Sequence, residues 1–120
     1  MSPGEAADRL SILGVKAARV ECDRARATAR AQLELLRDRL GFLLRDEACA
    51  AAYAGLVAVN ERLWDVENGV RRALAAGDER AFAARAADVP RLNAERSELK
   101  ARLDGLLGCA LAEVKEYRAR

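Results

Sequence analysis

The chain has 120 residues, 52% hydrophobic, 33% charged and only 4% aromatic, which leaves room for one core and one domain spanning 1–120. Twenty-one basic against nineteen acidic residues leave a net charge of +2, too even for a nucleic-acid-binding face, and no apolar run approaches the roughly 20 residues needed to span a bilayer. There is no His, so His-dependent triads, ordinary zinc sites and Glu-x-x-His di-iron centres are excluded.

The apolar share is mostly Ala and Leu, which with Arg and Glu are strong helix formers, while residues that favour strands are sparse. The chain therefore reads as all-α. Eighteen of the basic residues are Arg, and with so much Ala that bias suggests a GC-rich bacterial genome. Cys22, Cys49 and Cys109 are far apart and odd in number, which fits reduced thiols in a cytoplasmic protein better than a disulfide framework. The opening Ser2-Pro3-Gly4-Glu5 is unlike a basic-then-apolar signal.

That opening instead predicts a helix start: Ser2 as N-cap, Pro3 in the first turn and Glu5 completing a capping box. Ala6, Leu10, Leu13, Ala17 and Val20 then recur on one helical face. After Glu21–Cys22 the chain either runs straight on or breaks, with Asp23 capping a new helix; both readings fit. The apolar pattern resumes from Ala29 through Leu33, Leu36, Leu40 and Leu43. Gly41 to Glu47 is the first plausible connection.

The next helix is the most regular: Ala52, Leu56, Val59, Leu63, Val66, Val70 and Ala73 share one face. Gly77 suits the left-handed position that closes it, and Asp78 the next N-cap. A short helix is predicted from Glu79 to about Ala87, with Asp88-Val89-Pro90 as punctuation. The last helix carries Leu92, Leu99, Leu103, Leu106, Ala110, Val114 and Tyr117. Short connections between such segments predict an antiparallel bundle of four to five helices centred on a helical hairpin. Its long apolar stripes call for a second copy, so a homodimer is expected.

Three stretches carry a resemblance: SPGEAADRLSILGVKAARV from Ser2 to Val20, VNERLWDVENGVRR from Val59 to Arg72, and RLNAERSELKARLDGLLGCALAEVKEY in the tail. In these the chain resembles a family of short bacterial all-helical proteins, a domain of unknown function whose genes often lie near those for glycosyltransferases and surface polysaccharides. Asn68 and Gly69 depart from it, standing where an acidic residue and a helix former are expected. The resemblance implies a helical fold and a setting in glycan biosynthesis, without a particular activity.

A second stripe on the regular helix bears on function. Asn60, Trp64, Glu67 and Arg71 recur at helical spacing beside the apolar face, bracketing the single Trp with an amide, a carboxylate and a guanidinium. Asn93 and Lys100 make a similar pair on the last helix, and Asp8 and Lys16 on the first. If these stripes face one another, they form a polar cluster against an indole wall, as in small-molecule sites. A plainer account makes Glu67–Arg71 a surface ion pair, Trp64 core with its N–H bonded to Asn60, and Asn93 a helix cap. Glu95/Glu98 and Glu113/Glu116 have the spacing of carboxylate Mg²⁺ pairs, as in all-α nucleoside triphosphate pyrophosphohydrolases. Both pairs lie on one predicted helix without a turn between them, so no metal and no cofactor is expected.

Two classes follow. One is a non-enzymatic helical interaction or accessory protein, partnered by itself or another protein and linked to bacterial glycan biosynthesis, with neither nucleic acid nor membrane as partner. The other is a sugar- or nucleotide-phosphate-binding protein, or an enzyme, using Asp8, Lys16, Asn60, Trp64, Glu67, Arg71, Asn93 and Lys100. No catalytic residue stands out, which favours a binding role over an enzyme.

Overall fold

The computed structural model describes residues 2–119, with side chains outside 42–43 and 109–119. Five α-helices follow in chain order: α1 (Pro3–Arg19), α2 (Asp23–Leu40), α3 (Glu47–Ala76), α4 (Glu79–Ala86) and α5 (Asp88–Ala119), with a short 3-10 segment at Gly41–Arg45. The all-α bundle expected from the sequence is thus the fold. Among the described residues no helix is long and apolar enough to cross a membrane.

Local chemistry sets the boundaries. Ser2 Oγ accepts from the Glu5 backbone N–H at 3.2 Å, and Pro3, which has no N–H to satisfy, sits in the first turn. The chain does break after α1. Arg26 in the first turn of α2 donates from Nε and Nη2 to the Val20 carbonyl at 3.0 and 2.8 Å, satisfying an oxygen that a continued helix would have used. The N-cap of α2 is Cys22 rather than the expected Asp23, and it makes no side-chain cap bond.

Asp46 caps α3 through the Cys49 N–H at 3.1 Å. At the other end Gly77 takes φ +68°, and the Asp78 N–H reaches back to the Ala73 carbonyl at 2.9 Å, closing α3 as the left-handed C′ position requires. Asp78 then caps α4 through the Ala81 N–H at 3.0 Å. The Asp88-Val89-Pro90 punctuation is absorbed into the first turn of α5, where a residue without an N–H costs nothing.

The core lies between α1, α3 and α5. One cluster joins Ala7, Cys49, Ala52, Leu56, Leu103 and Leu107, and a second joins Val59, Leu63 and Leu92. The first half of α3 therefore meets the middle of α5, and the second half of α3 meets the start of α5. Val66 and Leu99 from the predicted stripes pack against these clusters while only partly buried. Leu107, one turn beyond Leu103, is buried without having been part of the predicted face. The expectations for Leu43, Cys109, Ala110, Val114 and Tyr117 fall outside the described side chains. Cys49 is buried and Cys22 exposed, both free thiols.

α1 packs against α2, α3 and α5 and buries Gly4, Ala7, Asp8, Leu10, Ser11, Leu13, Val15 and Ala17, more than one apolar stripe. Its start is pressed against α5. The Gly4 N–H donates to Asp104 Oδ1 at 2.7 Å, and a Cβ at Gly4 would overlap the Lys100 carbonyl, so only glycine allows this approach. By contrast α2 buries only Ala29. The molecule measures 64 × 32 × 22 Å with a radius of gyration of 17.2 Å, longer than the roughly 13–14 Å of a compact chain this size.

Truncation in the core should cost far more than truncation at the surface. Leu56 is fully buried and Leu35 is 63% exposed. In urea unfolding followed by circular dichroism, Leu56→Ala is expected to lose about 2–5 kcal/mol, and Leu35→Ala less than about 0.5 kcal/mol.

Candidate functional site: a buried carboxylate beneath two cavities

Asp8 is a carboxylate on the buried side of α1, 4% exposed. Burying an anion is unfavourable unless it is paired and hydrogen-bonded. Arg96 on α5 supplies both: its Nε donates to Oδ1 at 2.9 Å and its Nη2 to Oδ2 at 2.5 Å, a two-pronged pair that also fixes the plane of the guanidinium.

Asn60 on α3 completes the arrangement. Its Nδ2 donates to Asp8 Oδ1 at 3.0 Å and to Ser11 Oγ at 2.7 Å, while the Ser11 hydroxyl donates to the Asp8 carbonyl at 2.7 Å. Asp8 thus ties three helices together, and among the described residues no buried side-chain nitrogen or oxygen is left without a partner. Farther along α1, Arg19 pairs with Asp65 of α3.

Two cavities open beside this network. The smaller, about 240 Å³, is lined by Trp64, Glu67, Asn68 and Arg71 of α3 with Lys16 and Arg96. The larger, about 790 Å³, is a groove between α1, α2 and α5 whose apolar walls include Ile12, Leu13, Leu35 and Leu36, and whose polar groups include Arg9, Lys16 and Lys100. Ile12, Lys16 and Arg96 belong to both.

The sequence-predicted residues divide accordingly. Asp8 and Asn60 form the buried network. Lys16, Asn60, Trp64, Glu67 and Arg71 line the smaller cavity, and Asp8, Lys16 and Lys100 line the groove. Asn93 is exposed in the second turn of α5 and lines neither cavity. It is not a helix cap, because α5 already starts at Asp88.

Of the surface pair, the Trp64–Asn60 bond and the Asn93 cap, none is formed among the described residues. Among the described residues Glu67 and Arg71 form no ion pair, and Arg71 leans instead toward Asn68 Oδ1 at 3.5 Å. Trp64 is half-buried and its indole N–H has no protein acceptor among the described residues; Asn60 spends its amide N–H groups on Asp8 and Ser11.

Sequence reasoning missed Arg96 and Ser11. Arg96 lies three residues after Asn93 and four before Lys100, so the helical spacing that selected those two passes through it. Ser11 lies three residues after Asp8 and was readable by the same rule. Neither stood out, because an Arg among eighteen and a Ser in an apolar stretch look like ordinary surface and filler.

Among the described residues no group of three or more Cys, Asp or Glu is placed to hold a metal ion. Glu95 lies nearest Arg91, at 3.9 Å, and Glu113 and Glu116 fall outside the described side chains.

Electrostatics follow from this geometry. Burial pushes the Asp8 carboxyl up, but the hydrogen bonds from Arg96 and Asn60, with the charges of Arg96 and Lys100, outweigh it and hold the group below its ordinary value. Arg96 is held more firmly protonated by its bonds to Asp8, against the opposing effect of burial, with Glu67 adding to the same end.

Because the folded state depresses this carboxyl, Asp8 stabilises the fold fully above the unfolded-state value of about 3.9. That contribution is lost as pH falls through the lower folded value. Thermal unfolding from pH 6 down to pH 3 is expected to show a steeper loss of Tm in the native protein than in Asp8→Asn. At pH 7 the variant should be less stable by about 2–4 kcal/mol, below the ~3–5 of a fully buried broken pair because the Arg96 side chain is 30% exposed and stays partly hydrated.

Compared with protein-family models, curated proteins and solved structures, the chain matches none, so the side chains just described carry the functional reading.

Proposed function

We propose that the protein is a non-catalytic binding protein for a small anionic molecule, seated at the Trp64 cavity. The observation that supports this is the convergence of Lys16, Arg71 and Arg96 on one cavity beside a half-buried indole. Arg96 spends Nε and Nη2 on Asp8 and keeps Nη1 without an acceptor among the described residues. A cation whose orientation is already fixed loses little freedom when it binds a ligand. Lys16 and Arg71 are exposed and enter no ion pair among the described residues. A phosphate group suits such a set of donors.

A second reading, an accessory protein acting through self-association, has its own observation. Leu35 is 63% exposed on the lip of the larger groove, on a helix that buries only Ala29. A second copy related by a two-fold axis would bring its own α2 to the same lip, leucine against leucine. That arrangement fills the larger groove rather than the Trp64 cavity, so the two readings rest on neighbouring but different spaces. The resemblance to proteins encoded near polysaccharide genes adds bacterial glycan biosynthesis as a setting for either.

Inorganic pyrophosphate and glucose 1-phosphate are the first probes. Saturation at a hundredfold excess over Kd stabilises by about 2.7 kcal/mol, so Tm is expected to rise by several degrees in the native protein and by much less in Lys16→Glu or Arg71→Ala. No rise with either probe would overturn the binding reading. For self-association, sedimentation equilibrium should give a dimer that Leu35→Lys converts to monomer; a monomeric native protein at high concentration would rule that reading out.

A further inference from the structure

Resting on the anion-binding reading, we infer that the ligand is a ring-bearing diphosphate ester that spans both cavities. Its ring lies against Trp64, its diphosphate at Lys16 and Arg96, and its esterified group in the groove between α1, α2 and α5.

The volumes argue first. At about 240 Å³ the indole cavity falls below the roughly 300–1,000 Å³ of ordinary small-molecule sites, whereas the groove beside it, at about 790 Å³, falls inside that range. A molecule held by the indole alone would be a fragment. One that reaches past Lys16 and Arg96 gains a second compartment, because the two spaces adjoin at these residues, which line both.

The polar groups argue next. The small cavity offers groups suited to the edge of a heteroaromatic ring: the face of Trp64, the amide of Asn68 and the carboxylate of Glu67. Asn60 also lines it, and its Oδ1 accepts from no described residue yet is not sealed off. At the junction both cations are available to oxygen anions, Lys16 as a mobile ammonium and Arg96 through Nη1. Beyond it, Arg9 and Lys100 sit above the Ile12, Leu13 and Leu36 walls, with Glu5 as an acceptor.

The charge distribution argues last. Arg9, Lys16, Lys100, Arg96 and Arg71 line the joined space, against Glu5, Asp8 and Glu67. This excess of two positive charges matches that of the whole chain. The remaining residues therefore sum to zero, and the net positive charge of the chain lies at this joined space, where it favours anions.

The single Trp makes its fluorescence a reporter of the site. Titrations would use inorganic pyrophosphate, the four common ribonucleoside diphosphates, and the glucose esters of those diphosphates. At least one nucleoside diphosphate is expected to bind ten-fold or more tighter than pyrophosphate, and its glucose ester several-fold tighter again. Arg71→Ala, at the ring end, should weaken diphosphate and ester alike; Arg9→Ala, which touches only the groove, should weaken the ester and spare the diphosphate. Both residues are exposed, so neither variant threatens folding. Equal affinity for pyrophosphate, nucleoside diphosphates and esters would overturn the two-compartment inference while leaving an anion site in place. Silence from every probe, pyrophosphate included, would remove the anion site itself.

Discussion

A carboxylate buried on the inner face of α1 holds the three main helices together. Asp8 is largely withdrawn from water, at the edge of the groove, so its oxygens need donors from the protein, and they find Arg96 and Asn60. Apolar packing between α3 and α5 would tolerate sliding by a turn, since Leu and Ala faces are forgiving. The Asp8 network does not tolerate it. A one-turn slip would leave an uncompensated charge inside, so the polar centre selects one register where leucines alone would allow several.

The same requirement shapes the surface. Because Asp8 takes the Nε and Nη2 edge of Arg96, the guanidinium that lines both cavities is held in one plane, with Nη1 without an acceptor among the described residues. α1 stands between two open spaces, the groove that it shares with α2 and α5 and the smaller cavity that it shares with α3. Gly4 lets the start of α1 press onto α5 while Asp104 satisfies its first N–H. Farther along α1, Ile12 and Lys16 line both cavities. Packing, polar satisfaction and the two open spaces therefore meet at one buried anion.

Much of this was legible in the residues. The starts of α1 and α4 were readable because capping is local: Ser2 and Asp78 act within three residues of themselves, and Gly77 marks a backbone that few other residues adopt. The apolar face of α3 was readable from its period. The break after α1 was not decidable, because what stabilises it is Arg26 folding back onto the Val20 carbonyl, a contact that no periodicity announces. For the site, the stripe containing Asn60, Trp64 and Arg71 was visible as polar residues in phase with a core face. That Asn60 lies in the interior, while Glu67 and Arg71 lie outside it, depends on how α1 crosses α3. Arg96 was hidden among many arginines, since only the tertiary fold distinguishes a guanidinium that meets a buried carboxylate from one that meets water. Asn93 shows the converse: the right spacing on the right helix, set one turn beyond the cavities.

Asp8 and Arg96, as a bidentate pair, should stabilise the bundle through each other. A double-mutant cycle on Asp8→Asn and Arg96→Gln, read by urea unfolding at neutral pH, measures that coupling. A coupling energy of at least about 1.5–2 kcal/mol is expected, with the double variant much less destabilised than the sum of the singles. Additivity to within about 0.5 kcal/mol would contradict it, leaving apolar packing alone to set the register.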